Sequence, residues 1–469
     1  FRDRVLPGVA PGRAPGCGVL ASRYDNMCAI DHRLGKAKCF GHASMEWGIT
    51  TASATFNLVN QNLGWKTPYV PLGDDFHVVQ VVGTQATQAF LSRDGRVKVV
   101  GTCAQGQCGT GNNNNIYFDT LIAGISSLDF GEGRKVKQLA ASKYAYCALM
   151  ENGKVICWGA YNSNALGRAV VSGTEQNHIG DDTDEFPNLL EEVDFGGDGS
   201  LRAVRMFDQG GGNYNNHGVI LSNGNLVVWG AHAAIRTDNS GENPEKPTFY
   251  MPTDSKVTQA CMGAYHLCAL FDNGIVRCAG NAPYSGPAEY KFEPNANNPS
   301  EFPAIDLGTG FYATEIVCDW KSTCAKNQHG KVKCWGDALY GRLGYGDMIS
   351  RGHHDSEMGD NLPFVDLGEN RRVVEIHAGS TNTFCALLDD ASVKCWGHGS
   401  IPYGYTDSRL NLGDHPNEMG DALPAIDLGF QPTCLGEGFS SGAGGGVEEG
   451  APGGVSLYVG EFTDHAAVK

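Results

Sequence analysis

"CALMENGKVICWG" occupies residues 147 to 159, and variants return as "CALFDNGIVRCAG" from 268, "CAKNQHGKVKCWG" from 324 and "CALLDDASVKCWG" from 385. Two short strand-like runs flank a turn, which is the pattern of a β-hairpin. Pairing Cys147 with Cys157 and Leu149 with Val155 leaves Glu151, Asn152 and Gly153 as the loop. Such a loop combines a type I turn with a left-handed residue that closes a bulge. Glycine suits that place because it lacks a Cβ. Gly153, Gly274 and Gly330 hold it, whereas the copy at 385 puts Ala391 there, at a cost of about 1 kcal/mol.

In this register the two cysteines of each copy face each other. Opposed residues on neighbouring strands lie about 4.5–5.5 Å apart, a gap that a disulfide spans. The expected bridges are Cys147–Cys157, Cys268–Cys278, Cys324–Cys334 and Cys385–Cys395. Over so short a loop each contributes about 2–3 kcal/mol at most. Buried thiols and zinc are the rival readings. Zinc motifs space their cysteines by about two to four residues, so the ten-residue step here favours disulfides.

Three degenerate copies complete the set. "CAIDHRLGKAKCFG" (28–41) pairs Cys28 with Cys39 around a loop one residue longer. "AFLSRDGRVKVVG" (89–101) and "GVILSNGNLVVWG" (218–230) replace the cysteines by Ala89/Val99 and Gly218/Val228, as a buried cross-strand site requires. The hairpins therefore lie near 28–41, 89–101, 147–159, 218–230, 268–280, 324–336 and 385–397, with a period of roughly 59 residues. "VDFG" (193–196), "VDLG" (365–368) and "IDLG" (305–308 and 426–429) precede a short apolar run and the next cysteine. One strand after that turn, two in the hairpin and one near the Trp-Gly give four per unit. The expected fold is all-β: a seven-bladed β-propeller with four-stranded blades over residues 1–440.

The stretch "CAKNQHGKVKCWGDALYGRLGYGD" (324–347) resembles the regulator of chromosome condensation repeat, in which the turn glycine, Trp-Gly and a following Leu-Gly recur together. The resemblance covers roughly residues 17 to 440 and implies a seven-bladed propeller. The linkers "GHHDSEMGDNLPFVDLG" (352–368) and "GDHPNEMGDALPAIDLG" (413–429) resemble those of a cysteine-paired subset whose members are often predicted to be secreted. The family's founding member exchanges nucleotide on a small GTPase and binds chromatin. That activity is not carried over, because no basic tail is present and the cysteines do not suit a nucleus. Two stretches depart from the pattern: "CAGNAPYSG" has Ala279 at the Trp position, and the linker 42–73 hardly matches.

Composition narrows the function. The chain has 469 residues, 64 glycines, and a formal charge of −17 from 35 basic and 52 acidic side chains. Such a surface repels phosphate, so nucleic acid is a poor partner. No apolar run reaches the length of a transmembrane helix. Sixteen cysteines suit an oxidising compartment, secreted or luminal. The first residue is Phe1 rather than methionine, which fits removal of a signal segment.

Six cysteines remain. Cys17 and Cys434 flank the repeats and are a candidate ring clasp. Cys103 and Cys108 are spaced to close a small loop. Cys261 and Cys318, in equivalent positions of successive blades, either bridge neighbours or stay as buried thiols. Connectivity does not follow from sequence.

No catalytic motif and no cofactor motif occurs. Calcium is the one ion for which candidates exist: Asp355, Glu357, Asp360, Asp414, Glu418 and Asp421, with a further acidic group at Asp181, Asp182, Asp184 and Glu185. A solvated acidic loop is the preferred reading of these, and His353 with His354 is a weak metal pair. Trp158, Trp229, Trp335 and Trp396 read as packing between blades rather than ligand stacking. Residues 441–469 form a glycine-rich tail in which 455–462 has strand character, to close the ring or join a partner's edge. The sequence thus points to a non-enzymatic secreted or luminal interaction module, binding protein or glycan within a larger assembly. The alternative is a secreted enzyme or calcium-dependent glycan binder with a site over the central channel.

Overall fold

The computed structural model describes residues 20–23, 26–41, 68–116, 125–160, 165–167, 178–195, 199–208, 216–230, 248–250, 255–280, 284–287, 303–379, 382–398 and 411–430. The chain divides into Phe1–Leu435 and Gly436–Lys469. The second unit, Cys17 and Cys434 lie outside the described residues, and with them the expected clasp and the strand at 455–462.

Apart from short 3-10 turns, the described residues form seven small antiparallel sheets. Sheet 1 holds β1 (Leu20–Arg23), β2 (Asn26–Asp31) and β3 (Lys36–Gly41); sheet 2 holds β4 (Val78–Gly83), β5 (Thr87–Ser92) and β6 (Val97–Gly101). Sheet 3 runs β7 (Val136–Ala141), β8 (Ala145–Met150), β9 (Val155–Ala160) and β10 (His178–Ile179). Sheet 4 runs β11 (Ala203–Asp208), β12 (Asn216–Leu221), β13 (Leu226–Gly230) and β14 (Thr248–Tyr250). Sheet 5 has β15 (Val257–Met262), β16 (His266–Phe271) and β17 (Val276–Gly280); sheet 6 has β18 (Ala313–Cys318), β19 (Ser322–Asn327) and β20 (Val332–Gly336). Sheet 7 has β21 (Val373–Ala378), β22 (Thr383–Leu388), β23 (Val393–His398) and β24 (Asn411–Leu412).

The hairpins form in the register drawn from sequence. Cys147 opposes Cys157 and Leu149 opposes Val155. The loop closes with the Gly153 amide on the Met150 carbonyl at 2.9 Å, and Gly153 has φ of 78°. The cysteine pairs of the five hairpins are disulfides with Cα separations of 4.0–4.1 Å, closer than the ordinary cross-strand spacing. Ala89 opposes Val99 and Gly218 opposes Val228, as expected. At Gly218 the vacant volume is taken by Phe207 from β11, whose ring atom stands 2.1 Å from where a Cβ would be.

Four-stranded blades are only partly realised: three sheets have four strands and four have three. The strand expected after the Asp-Leu-Gly-type turns forms, as β11, β18 and β21. The residues that enter these turns, and the matching segment at Val70, lie on the outer edge of the preceding sheet. Val70, Leu128, Val193, Ile305, Val365 and Ile426 donate their amides to Ala37, Val97, Val155, Val276, Val332 and Val393 at 2.7–2.8 Å. Pairing then stops, because the following aspartate turns the chain. Asp129, Asp306, Asp366 and Asp427 accept the amide of the glycine two residues on at 2.8–3.0 Å. Such side-chain turns compete with a strand ladder.

The first strand of each sheet lies beside the first strand of the next, and β21 lies beside β1. All of these strands except β1 share a bulge that re-aims the third residue. Gln80, Gln138 and Gln259 use it to bond both backbone groups of Leu139, Met206 and Ile316 on the neighbouring sheet, at 2.8–3.1 Å. A glutamine amide here imitates a peptide unit. The apolar cores are seams between sheets: Cys147 and Cys157 pack with Trp229 of sheet 4, and Cys324 and Cys334 with Trp396 of sheet 7. Met27 and Ala29 of sheet 1 join the core of sheets 6 and 7, so the last seam is closed by packing.

Ala391 adopts φ of 63° in the place its glycine counterparts fill. Ala391→Gly should stabilise the chain by about 0.5–1 kcal/mol, since relief of the left-handed penalty exceeds the extra freedom of the unfolded glycine. Chemical unfolding of the two proteins checks the sign; a loss of stability would mean the turn is not left-handed.

Candidate functional site

The junctions between sheets explain the Trp-Gly and Leu-Gly signals. Trp158, Trp229 and Trp396 are buried, and each indole Nε1 donates to a loop carbonyl of the preceding sheet: Gln107 at 2.9 Å, Ala165 at 3.0 Å and Arg342 at 3.0 Å. Two residues beyond each carbonyl is a glycine, Gly109, Gly167 or Gly344, whose Cβ would sit 2.8–3.1 Å from that same nitrogen. In sheet 2 the docking loop reads Gln107-Cys108-Gly109, and the Cys103–Cys108 disulfide closes it. The sequence after Gly280 carries no such motif, and among the described residues Trp335 Nε1 has no hydrogen-bond partner.

A second tie was not legible as a motif. Lys38, Lys98, Lys333 and Lys394 stand at one position of the third strand and are buried. Their ammonium groups donate to the carbonyls of Leu428, Leu72, Leu307 and Leu367 in the outer segments of the preceding sheets, at 2.8–3.2 Å. Lys333 and Lys394 also reach Gly359 and Gly420, each at 2.8 Å. Burial pulls all four below the usual lysine pKa, against opposing pulls from nearby aspartates. Lys38 to Leu428 joins the first sheet to the last with the same contact used elsewhere, and Tyr69 and Phe430 flank it.

Several of the acidic candidates are engaged by the chain itself. Glu357 accepts the amides of Gly352 and His353 at 3.0 and 2.9 Å; Glu418 accepts those of Gly413 and His415 at 3.0 and 3.1 Å. Glu185 does the same for Gly180 at 2.9 Å. Asp360 accepts the Thr309 amide and hydroxyl, both at 2.8 Å, which holds its carboxyl below the usual range. Asp421 accepts the Glu369 amide at 3.3 Å, Asp414 bonds the Asn411 side chain at 3.2 Å, and Asp355 opens a 3-10 turn. The rings of His353 and His354 lie 6.4 Å apart. Among the described residues, the one group of three with metal-ligand spacing is His266, Cys268 and Cys318. Both of its cysteines are in disulfides.

Cys261 and Cys318 do bridge neighbouring sheets, but their positions are not equivalent. Cys261 opposes Cys268, whereas Cys318 opposes Thr323, one step further along its strand. One residue changes the face of a strand, which is what lets adjacent sheets present their sulfurs to each other.

The surface feature that stands out is the loop 337–351. Its base is rigid. Arg342 is buried near Asp319 at 3.8 Å and Asp337 at 4.0 Å. Burial raises the Asp319 carboxyl above the usual range despite Arg342. The Tyr345 hydroxyl bonds both the amide and the carbonyl of Cys334 at 2.9 Å, and Arg351 covers its ring while pairing with Asp347 at 2.8 Å. Above this base Leu339, Met348 and Ile349 are 46%, 56% and 64% exposed.

The family model described as the regulator of chromosome condensation (RCC1) repeat matches residues 136–165. The chain is a propeller of the RCC1-repeat type. Human E3 ubiquitin-protein ligase HERC2 is 25% identical over 327 residues, which are 68% of this chain and 6% of HERC2. The Arabidopsis thaliana ultraviolet-B receptor UVR8 is 21% identical over 346 residues, covering 73% of this chain and 68% of the receptor. The solved structure of Prp20p from Saccharomyces cerevisiae superposes with a TM-score of 0.56 at 15% identity, covering 87% and 86% of the two chains. Relative to HERC2, the RCC1-type propeller seen here spans a small fraction of the relative's length.

Gly344→Ala should cost this RCC1-type propeller about 2–3 kcal/mol, because φ of 73° and the Trp396 indole 2.8 Å away both oppose a methyl group. Thermal unfolding checks this, and an unchanged midpoint would remove the indole-on-glycine tie from the account.

Proposed function

We propose that this chain is a non-enzymatic protein-interaction module, a disulfide-stapled propeller of seven blades that works in a secreted or luminal, oxidising setting. The observation that carries the reading is the loop 337–351, which lifts Leu339, Met348 and Ile349 into solvent from a buried, hydrogen-bonded base. Exposed apolar side chains on a rigid support are the anatomy of a protein contact. In the acidic loops, by contrast, Glu185, Glu357 and Glu418 turn inward onto their own loop amides, which leaves those three carboxylates poorly suited to cradle calcium. Prp20p has binding properties toward Gsp1p and histones, and a protein partner is carried over as a class, without those names. Five stapled hairpins support the compartment, since such pairs persist where thiols are oxidised. A glycan partner and membership of a larger assembly extend the same reading.

A photo-crosslinking residue at position 349, in the chain expressed in its own source, should capture a discrete protein. Met348→Asp with Leu339→Asp should abolish that capture, while the same probe at exposed Glu151 should yield none. Equal capture from both positions, or none from 349, overturns the interaction reading. Alkylation during extraction should leave Cys147 and Cys157 unlabelled; labelled thiols there would place the protein in a reducing compartment.

A further inference from the structure

Four cysteines meet where sheet 5 faces sheet 6. Cys268 lies mid-strand on β16, with Cys261 opposite on β15 and Cys278 opposite on β17. The bridges are Cys268–Cys278 and Cys261–Cys318. The sulfurs of Cys268 and Cys318, which belong to different bridges, nevertheless lie within 4.8 Å of each other and of a His266 ring nitrogen. The Thr323 hydroxyl is 3.7 Å from Cys268 Sγ, 3.8 Å from Cys318 Sγ and 2.8 Å from His266 Nε2. Cys268, Cys278 and Cys318 are buried, and Cys261 is the half-buried member.

We propose that this cluster is a thiol–disulfide exchange site, at which a dithiol reductant arriving at Cys261 moves the neighbouring bridge from Cys268–Cys278 to Cys268–Cys318. A thiolate of the reductant bonds to Cys261 Sγ, the bond to Cys318 breaks, and Cys318 leaves as a thiolate. That thiolate attacks Cys268 Sγ; a Cys268–Cys318 bond forms and Cys278 departs with the electron pair, then takes a proton. The reductant's second thiol displaces Cys261, which leaves as a thiol, and the reductant ends as its own disulfide. Two electrons enter the protein, and its bridges at this junction fall from two to one.

The surroundings suit each step. Exchange requires an accessible first sulfur and a stabilised leaving thiolate. Cys261 is the one residue of the four that is not fully buried, so the reductant enters there. The Thr323 hydroxyl can donate to a Cys318 thiolate while accepting from His266 Nε2. The product keeps a covalent link between sheets 5 and 6, from β16 to β18, but removes the staple from the β16–β17 hairpin. A reductant therefore loosens one hairpin without opening the ring at that junction. Cys103–Cys108 and Cys147–Cys157 belong to no such group among the described residues, which makes them internal controls.

Limited dithiothreitol, acid quenching, alkylation and disulfide mapping of the intact chain test the proposal. The expected result is a Cys268–Cys318 peptide pair with Cys261 and Cys278 alkylated, while Cys147–Cys157 persists. Alkylation of Cys261 and Cys318 together, with Cys268–Cys278 intact, overturns it. The Cys261→Ser variant gives an independent reading without reductant. Alkylation should divide between Cys318 and Cys278; label confined to Cys318 also overturns the proposal. Should that variant fail to fold, the dithiothreitol experiment on the natural chain decides alone.

Discussion

No sheet of this molecule is complete by itself. Among the described residues, a buried lysine or tryptophan of one sheet hydrogen-bonds backbone carbonyls belonging to the outer part of the sheet before it, at six of the seven junctions. A carbonyl left buried and unpaired costs about 1–3 kcal/mol, so each outer segment depends on its neighbour's side chain. The short edge strands follow from the same arrangement. One backbone bond and an aspartate turn suffice at the rim because the next sheet supplies the remaining partners. Short, turned edges also present little ladder for a foreign strand to join.

The disulfides act at another level. Each hairpin bridge closes a loop of ten or eleven residues, so little unfolded-chain entropy is removed. Their place in the fold says more than their loop size. They occupy the cross-strand site that faces the next sheet's aromatic position, where Ala89/Val99 or Gly218 with Phe207 serve in other sheets. Sulfur here fills core volume that other residues fill elsewhere, and among the described residues it also crosses a junction between sheets 5 and 6.

Much of this was legible in the sequence because it is local. The hairpin register, the left-handed turn and the cross-strand pairs depend on residues within a dozen positions of each other, and Ala391 kept the turn even without glycine. The role of Trp158 and Trp396 was legible in outline, as packing between blades. What escaped was contact across the period. Lys38 and Leu428 are separated by 390 residues, and a lysine before a cysteine looks like an exposed strand residue. The bond from each Asp-Leu-Gly-type segment back to the preceding sheet also escaped, because its partner strand lies across an intervening linker, as for Ile305 and Val276. Cys261 and Cys318 look equivalent until the registers are counted. Sequence shows the carboxylates of the acidic linkers but not the backbone amides that some of them accept from, as at Glu357 and Glu418.

The central claim is that the first and last sheets are held together by the same lysine-to-carbonyl contact that Lys98, Lys333 and Lys394 make at three other junctions. Hydrogen exchange on the Lys38→Met variant tests it directly. The account requires amide protection to fall together in residues 26–41 and in residues 426–428, although these stretches lie at opposite ends of the described chain. Loss confined to 26–41, with 426–428 as protected as before, would show that the first and last sheets do not hold each other.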